Sequence, residues 1–203
     1  IKDRQYTTQA DSVARRSAQT ALYHLTQAFV RWMSPILSFT AQEAWSALAE
    51  PTSKYVFTAE WYTLPVVDVA AQISDDDWQT ILQVKAAVNK QIENARNAKL
   101  IGANLSAQVV LWADERLQTV LAKLGDELRF VLITSAARVE TFTAQGEATE
   151  LTGLRVQVSP ADGVKCARCW HVRSDVGSHT EHPELCGRCI DNVTGNGEVR
   201  HYA

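Results

Sequence analysis

The stretches KCARCWH (residues 165–171) and LCGRC (residues 185–189) hold all four cysteines of the chain: Cys166, Cys169, Cys186 and Cys189. Their spacing is Cys-x2-Cys, sixteen residues, Cys-x2-Cys. One such turn points two thiolates at a single ion, and two turns complete a tetrahedron with metal–sulfur distances of about 2.3 Å. The four lie within 24 residues, and the other 179 residues have none. Disulfide staples would be spread over a smaller secreted fold, so the clustering points to a metal site in a reducing compartment. One structural zinc ion is expected. A mononuclear iron–thiolate centre shares the geometry, but the rest of the chain offers no redox partner. Four thiolates leave no open coordination position, so the ion is read as structural rather than catalytic, and His171, His179, His182 and His201 are read as surface polar residues. So small a module has no core of its own; metal binding, on the order of 10–16 kcal/mol, is its folding energy.

Two residue types in the knuckles are not needed by the metal. Arg168 lies between the first pair of ligands and Trp170 follows them, while Arg188 holds the corresponding place in the second pair. Trp170 either covers the metal or stands outward beside Arg168 as a flat platform. A ring and a planar guanidinium suit unpaired RNA bases, with stacking worth about 1–3 kcal/mol per base. Arg188 has the geometry to grip a phosphate.

Upstream of the knuckles the apolar period is that of strands and short helices. Ala107–Trp112 reads as a strand, Asp114 as the cap of a helix through Leu124, Leu128–Thr134 and Val139–Phe142 as β-prone, and Leu154–Val158 as an alternating strand. Thr143–Glu150 reads as a polar surface loop. Further back the period is helical. Ala18, Ala21, Leu22, Leu25, Ala28, Phe29, Trp32 and Met33 share one face of a helix over 10–33 that Ser34-Pro35 interrupts. Thr40 to Glu43 has the pattern of a capping box, and the segment to Leu48 reads as a short helix or a kinked continuation of the first, with Trp45 in the core. Residues 51–67 read as an extended connector with aromatic contacts. Ser74 to Asp77 opens a long helix that Gly102 ends. The expected fold is mainly α with a small α+β part: an antiparallel helical bundle (1–102), an α+β junction subdomain (103–160) and a C-terminal four-cysteine zinc ribbon (161–203).

The chain has 203 residues, 46% hydrophobic and 21% charged, with a net charge of −3. That balance argues against indiscriminate nucleic-acid binding and leaves room for local basic patches. One patch holds Lys2, Arg4, Arg15, Arg16 and Arg31; another holds Lys85, Lys90, Arg96 and Lys99. Either is also readable as solvated helix surface. No apolar run approaches the roughly 20 residues of a membrane span, no signal peptide is visible, and a cytoplasmic location is expected. The chain begins Ile1-Lys2-Asp3-Arg4 without methionine and reads as a segment of a longer protein.

ARRSAQTALYHLTQAFVRWMSPILSFTAQEAW (14–45) resembles the helical anticodon-binding domain of class I aminoacyl-tRNA synthetases of the Ile/Val/Leu type. LGDELRFVLITSAARV (124–139) and the finger (165–189) are similar to the C-terminal part of the bacterial isoleucyl-tRNA synthetase family, so the resemblance spans essentially the whole chain. It implies docking on the anticodon arm of tRNA(Ile), with Arg168 and Trp170 near the anticodon bases. Arg15, Arg16, Arg31, Lys90, Arg96 and Lys99 are then candidate backbone contacts. The catalytic His-Ile-Gly-His-like and Lys-Met-Ser-Lys-Ser-like motifs are absent, as are a P-loop and a nucleophile elbow, so no catalytic residue is expected here. The resemblance puts ATP and Mg2+ in a catalytic part beyond this chain, where the parent would join isoleucine to its tRNA, and makes that part and the editing domain intramolecular partners. Two other readings stay open. Formamidopyrimidine-type DNA glycosylases have a similar four-cysteine finger, though they need an N-terminal proline nucleophile, and a zinc ribbon can also dock another protein.

Overall fold

The computed structural model describes residues 1–48, 53–66 and 72–203. In chain order come helices α1 (Lys2–Thr7), α2 (Val13–Met33), α3 (Ser38–Ser46) and α4 (Asp75–Asn97). Strand β1 (Ala107–Ala113) is followed by α5 (Glu115–Ala122) and α6 (Leu128–Leu132). Then come β2 (Ala136–Thr141), β3 (Glu147–Ala148), β4 (Leu154–Pro160), β5 (Val164–Lys165), β6 (Val172–Arg173) and α7 (Gly187–Thr194). The fold is mainly helical with a small sheet part. Among the described residues no helix is long and apolar enough to cross a membrane.

α2 starts at Ser12, whose hydroxyl accepts from the Arg15 amide at 3.2 Å, and stops before Pro35. It pairs with α3 around a small core of Val30, Ala41, Trp45 and Val56. Trp45 is wholly buried, and its indole N–H donates to the Ser53 carbonyl at 2.8 Å. Two expectations change here. α3 begins at Ser38 without a side-chain cap, so Thr40 lies inside the helix instead of capping it. Of the apolar face expected for α2 only Ala28 is fully buried; Leu25, Phe29 and Trp32 remain about half exposed, and Phe39 on α3 is 92% exposed. The expected connector holds a 3-10 turn, Val56–Thr58, and the Tyr62 hydroxyl meets Nδ1 of His24 at 2.6 Å; residues 51, 52 and 67 lie outside the described residues.

α4 opens with a full capping box: the Ser74 hydroxyl accepts from the Asp77 amide and the Asp77 carboxylate accepts from the Ser74 amide. It ends at Asn97, with Ala98 as its C-cap. The Lys99 amide bonds the Arg96 carbonyl and the Leu100 amide bonds the Ala95 carbonyl, both at 2.9 Å, with Lys99 at φ 59. This is a Schellman motif in which a lysine takes the left-handed place expected of glycine, so Gly102 is not the stop. The buried face of α4, Ile81, Val84, Val88 and Ile92, shares one core with Val109 and Leu111 of β1, Leu117 and Leu121 of α5, and Val156 of β4. α4 therefore packs with the sheet, and residue 102 does not separate two cores.

The sheet order is β2-β1-β4-β3, with β1 parallel to β2 and antiparallel to β4; Leu111 lies beside Val139 on one side and Val156 on the other. A parallel neighbour requires a crossover. α5 and α6 supply it, which is why Leu128–Leu132, expected as strand, is helical: Leu128 and Leu132, four apart, bury into the same core. The expected loop 143–150 contains β3, which pairs Glu147 with Val156. In the cysteine-bearing segment β5 and β6 form a two-residue ribbon, and α7 begins directly at Cys186.

Candidate metal centre and nucleic-acid interface

The four cysteines come from two local structures. Cys166 and Cys169 sit in a turn closed by the Trp170 amide bonding the Cys166 carbonyl at 3.0 Å. Cys186 is the N-cap of α7 and Cys189 lies in its first turn, where the positive end of the helix dipole favours thiolates. All four are buried, and their sulfurs lie within 4.8 Å of one another. The Cys169 and Cys186 sulfurs are 3.7 Å apart, against about 3.8 Å for the edge of a tetrahedron with 2.3 Å bonds. The donor set therefore fits one tetrahedral soft cation. Crowding among the buried sulfurs drives two of the thiols apart in acidity, Cys186 downward and Cys169 upward. Four thiolates need a cation between them. Further donors reach the sulfurs: the Cys186 amide to Cys166 at 3.4 Å and the Arg168 guanidinium to Cys189 at 3.8 Å. Val176 and Leu185 pack against the cluster.

Trp170 is not the cover. The residue is 60% exposed, the Lys165 ammonium stands 5.3 Å from the ring centroid, and its φ is 67. Arg168 does not stand beside it. Its guanidinium donates to the Thr7 carbonyl at 2.7 Å and to the Tyr6 carbonyl at 3.4 Å, the free carbonyls at the end of α1. Arg188 is likewise turned inward, bonded to Asp3 at 2.5 Å, to the Thr7 hydroxyl at 2.5 Å and to Glu198 at 2.9 Å. Burial opposes its charge, and Glu198 and Asp3 more than restore it, so its pKa is raised. The expected picture of two outward arginines is thus corrected to one outward ring over two inward arginines. His171, expected at the surface, is 2% exposed. Its ring packs edge-on against Phe130, and burial lowers its pKa to about 4. His179 and His201 are exposed and His182 is half-buried, and none of the three joins the cysteine cluster.

The helical candidates separate in the same way. Arg16, Arg96 and Lys99 are exposed. Arg15 is half-buried and reaches the Thr8 carbonyl at 3.4 Å. Lys90 is exposed but paired with Glu150. Arg31 is buried, donating to Gln27 and to the Glu60 carbonyl, with its guanidinium 4.5 Å from the Trp45 centroid. It braces the small core and does not reach the surface. Sequence reasoning missed Asp3, Glu198, Arg200 and Phe130, which surround Arg188. Arg200 bonds Asp3 at 2.6 Å and lies 3.6 Å from the Phe130 centroid, and Arg129 and Arg188 approach the same ring. No local pattern in the sequence marks them, because the partners lie far apart along the chain.

Residues 1–111 match the family model described as the anticodon-binding domain of tRNA ligase, and residues 163–192 match a zinc finger found in FPG and IleRS. The whole chain aligns with proteins named isoleucine–tRNA ligase. It is 69% identical over 203 residues to that of Acinetobacter baylyi, covering 22% of the relative. It is 57% identical over 207 residues to one from Pseudomonas putida, again 22% of the relative, and 58% identical over 207 residues to that of Alcanivorax borkumensis, also 22%. The chain thus spans about a fifth of the length of the curated relatives it matches.

Proposed function

The chain belongs to the anticodon-binding domain family of tRNA ligases, and from that premise we propose that it recognises the anticodon arm of tRNA(Ile) for an isoleucine–tRNA ligase. The parent would join isoleucine to tRNA with ATP and Mg2+ in the part outside this chain, and this part would supply recognition and positioning. The finger family alone is shared with FPG proteins, but the match over residues 1–111 and the isoleucine–tRNA ligase relatives favour RNA over lesion duplex.

In this reading Cys166, Cys169, Cys186 and Cys189 hold one zinc ion, which supplies rigidity and no reaction. The chain's own residues do the rest. Trp170 offers a stacking face to an unpaired base, Lys165 beside the ring favours an adjoining phosphate, and Arg15 and Arg16 at the start of α2, with Arg96 and Lys99 at the end of α4, contact the tRNA backbone.

The observation that carries this is the conformation of Trp170. A non-glycine side chain at φ 67 costs about 1 kcal/mol, and glycine would occupy the turn without that cost. Yet the ring lies largely outside the core. A bulky residue held in a disfavoured conformation with little packing in return points to function. The test is binding of an anticodon stem-loop of tRNA(Ile) by the full chain. Trp170→Ala should weaken binding by about 1–3 kcal/mol with zinc content unchanged. Loss of zinc in that variant would show a structural ring, tighter binding of lesion duplex than of the stem-loop would favour the glycosylase-like reading, and indifference to both nucleic acids would favour a protein-docking module.

A further inference from the structure

We propose that Asp3, Arg168 and Arg188 are positioning residues: they clamp α1 between the metal module and the start of α2, and so fix where the Trp170 ring stands relative to Arg15 and Arg16. This rests on the reading of Trp170 as an RNA-stacking residue and goes beyond it by naming what sets the ring's place.

The contacts form a continuous chain. The knuckle carrying Trp170 also carries Arg168, which caps the last carbonyls of α1 at Thr7 and Tyr6. On the second knuckle Arg188 holds Asp3 in the first turn of α1 and the Thr7 hydroxyl in its last. One arginine thus spans the six-residue helix, and the other seals its end. Beyond α7 the chain returns to the same helix, with Arg200 bonding Asp3 and Gln9 donating to the Gly195 carbonyl at 2.8 Å. α1 in turn grips α2: Arg4 donates to the Ala14 carbonyl at 2.7 Å and to the Ser17 hydroxyl at 3.1 Å, on either side of Arg15 and Arg16.

The charges balance within this clamp. Asp3 and Glu198 face Arg188 and Arg200, and the Arg188 and Arg200 guanidiniums both lie over the Phe130 ring. A buried ionic group of this kind contributes little net stability against an apolar equivalent, and its best-attested use is to enforce one arrangement. α1 buries only Thr7 as a whole residue, so apolar packing does not fix it. The ion pairs and caps do.

The test uses the full, zinc-loaded chain. Asp3→Asn is the main variant because its sign is diagnostic. Removing a negative charge strengthens RNA binding if charge alone matters; a broken clamp weakens it. The expected result is about tenfold weaker binding of the stem-loop with one zinc retained, and faster amide hydrogen exchange in α1 and in residues 164–194. In a Trp170→Ala background Asp3→Asn should cost nothing further, because the ring it positions is gone. Arg168→Gln removes a cation, so weaker binding alone does not decide for it; its loss should likewise vanish in the Trp170→Ala background, and that comparison replaces Asp3→Asn if that variant loses zinc or fails to fold. Tighter or unchanged binding, losses that simply add to those of Trp170→Ala, or unaltered exchange each overturn the clamp as a positioning device. If Trp170→Ala itself leaves RNA affinity unchanged, the stacking reading falls, and the clamp then stands or falls on exchange alone.

Discussion

A single backbone angle separates what Trp170 does for the fold from what it does for recognition. Trp170→Gly relieves the left-handed strain and removes the ring together. Thermal denaturation of the zinc-loaded chain should show stability held or raised by up to about 1 kcal/mol, while stem-loop affinity falls as in Trp170→Ala. A clear loss of stability would mean that the ring packs in a way its exposure hides. Lys99 occupies the same region of backbone space for a different reason. Its amide and that of Leu100 close a helix end, so its conformation is accounted for locally and by itself marks no site. Arg31, Arg168 and Arg188 teach the complementary lesson. Each is an arginine in a basic patch or a knuckle, and each spends its guanidinium on carbonyls, carboxylates or rings of its own chain.

At the scale of elements, α4 depends on its cap. The Lys123 ammonium at 2.6 Å, then the amide and hydroxyl of Ser74, hold the Asp77 carboxylate down to about 2. A depressed carboxylate contributes stability that is complete above its unfolded value of 3.8 and lost as pH falls toward 2. Asp77→Ala should therefore destabilise the chain at neutral pH, through the capping box and the Lys123 contact, and by progressively less below pH 4; a difference that persists undiminished at pH 2 would put the effect elsewhere. The metal module makes a second prediction. Neither hydrophobic core contains a cysteine. Chelation, or Cys186→Ser, should disorder the knuckles, α7 and α1, whose partners they carry, while α2 to α6 keep their far-UV dichroism and the main melting transition. Collapse of the whole spectrum would show that the cores need the module.

For the molecule as a whole, the sequence was most legible where local chemistry decides the outcome. The paired Cys-x2-Cys turns required four converging sulfurs, the Ser74 box required a helix start, and alternation from Leu154 required a strand. It was least legible where a distant partner decides. Leu128–Leu132 is a short apolar run that period alone cannot assign, and the crossover to a parallel β2 makes it a helix. The period of α4 gave its face but not what covers it, so a bundle was expected where the structure has a helix on a sheet. Asp3 and Arg188 are 185 positions apart, and Asp3 and Arg200 are 197 apart; no pattern in the sequence links them. That separation has a temporal side. At roughly 5–20 residues per second, the ribosome takes about 10–40 s to travel from Asp3 to Arg200. At first α1 has only α2 to hold it, through Arg4, and its docking on the metal module awaits the thiols and their ion.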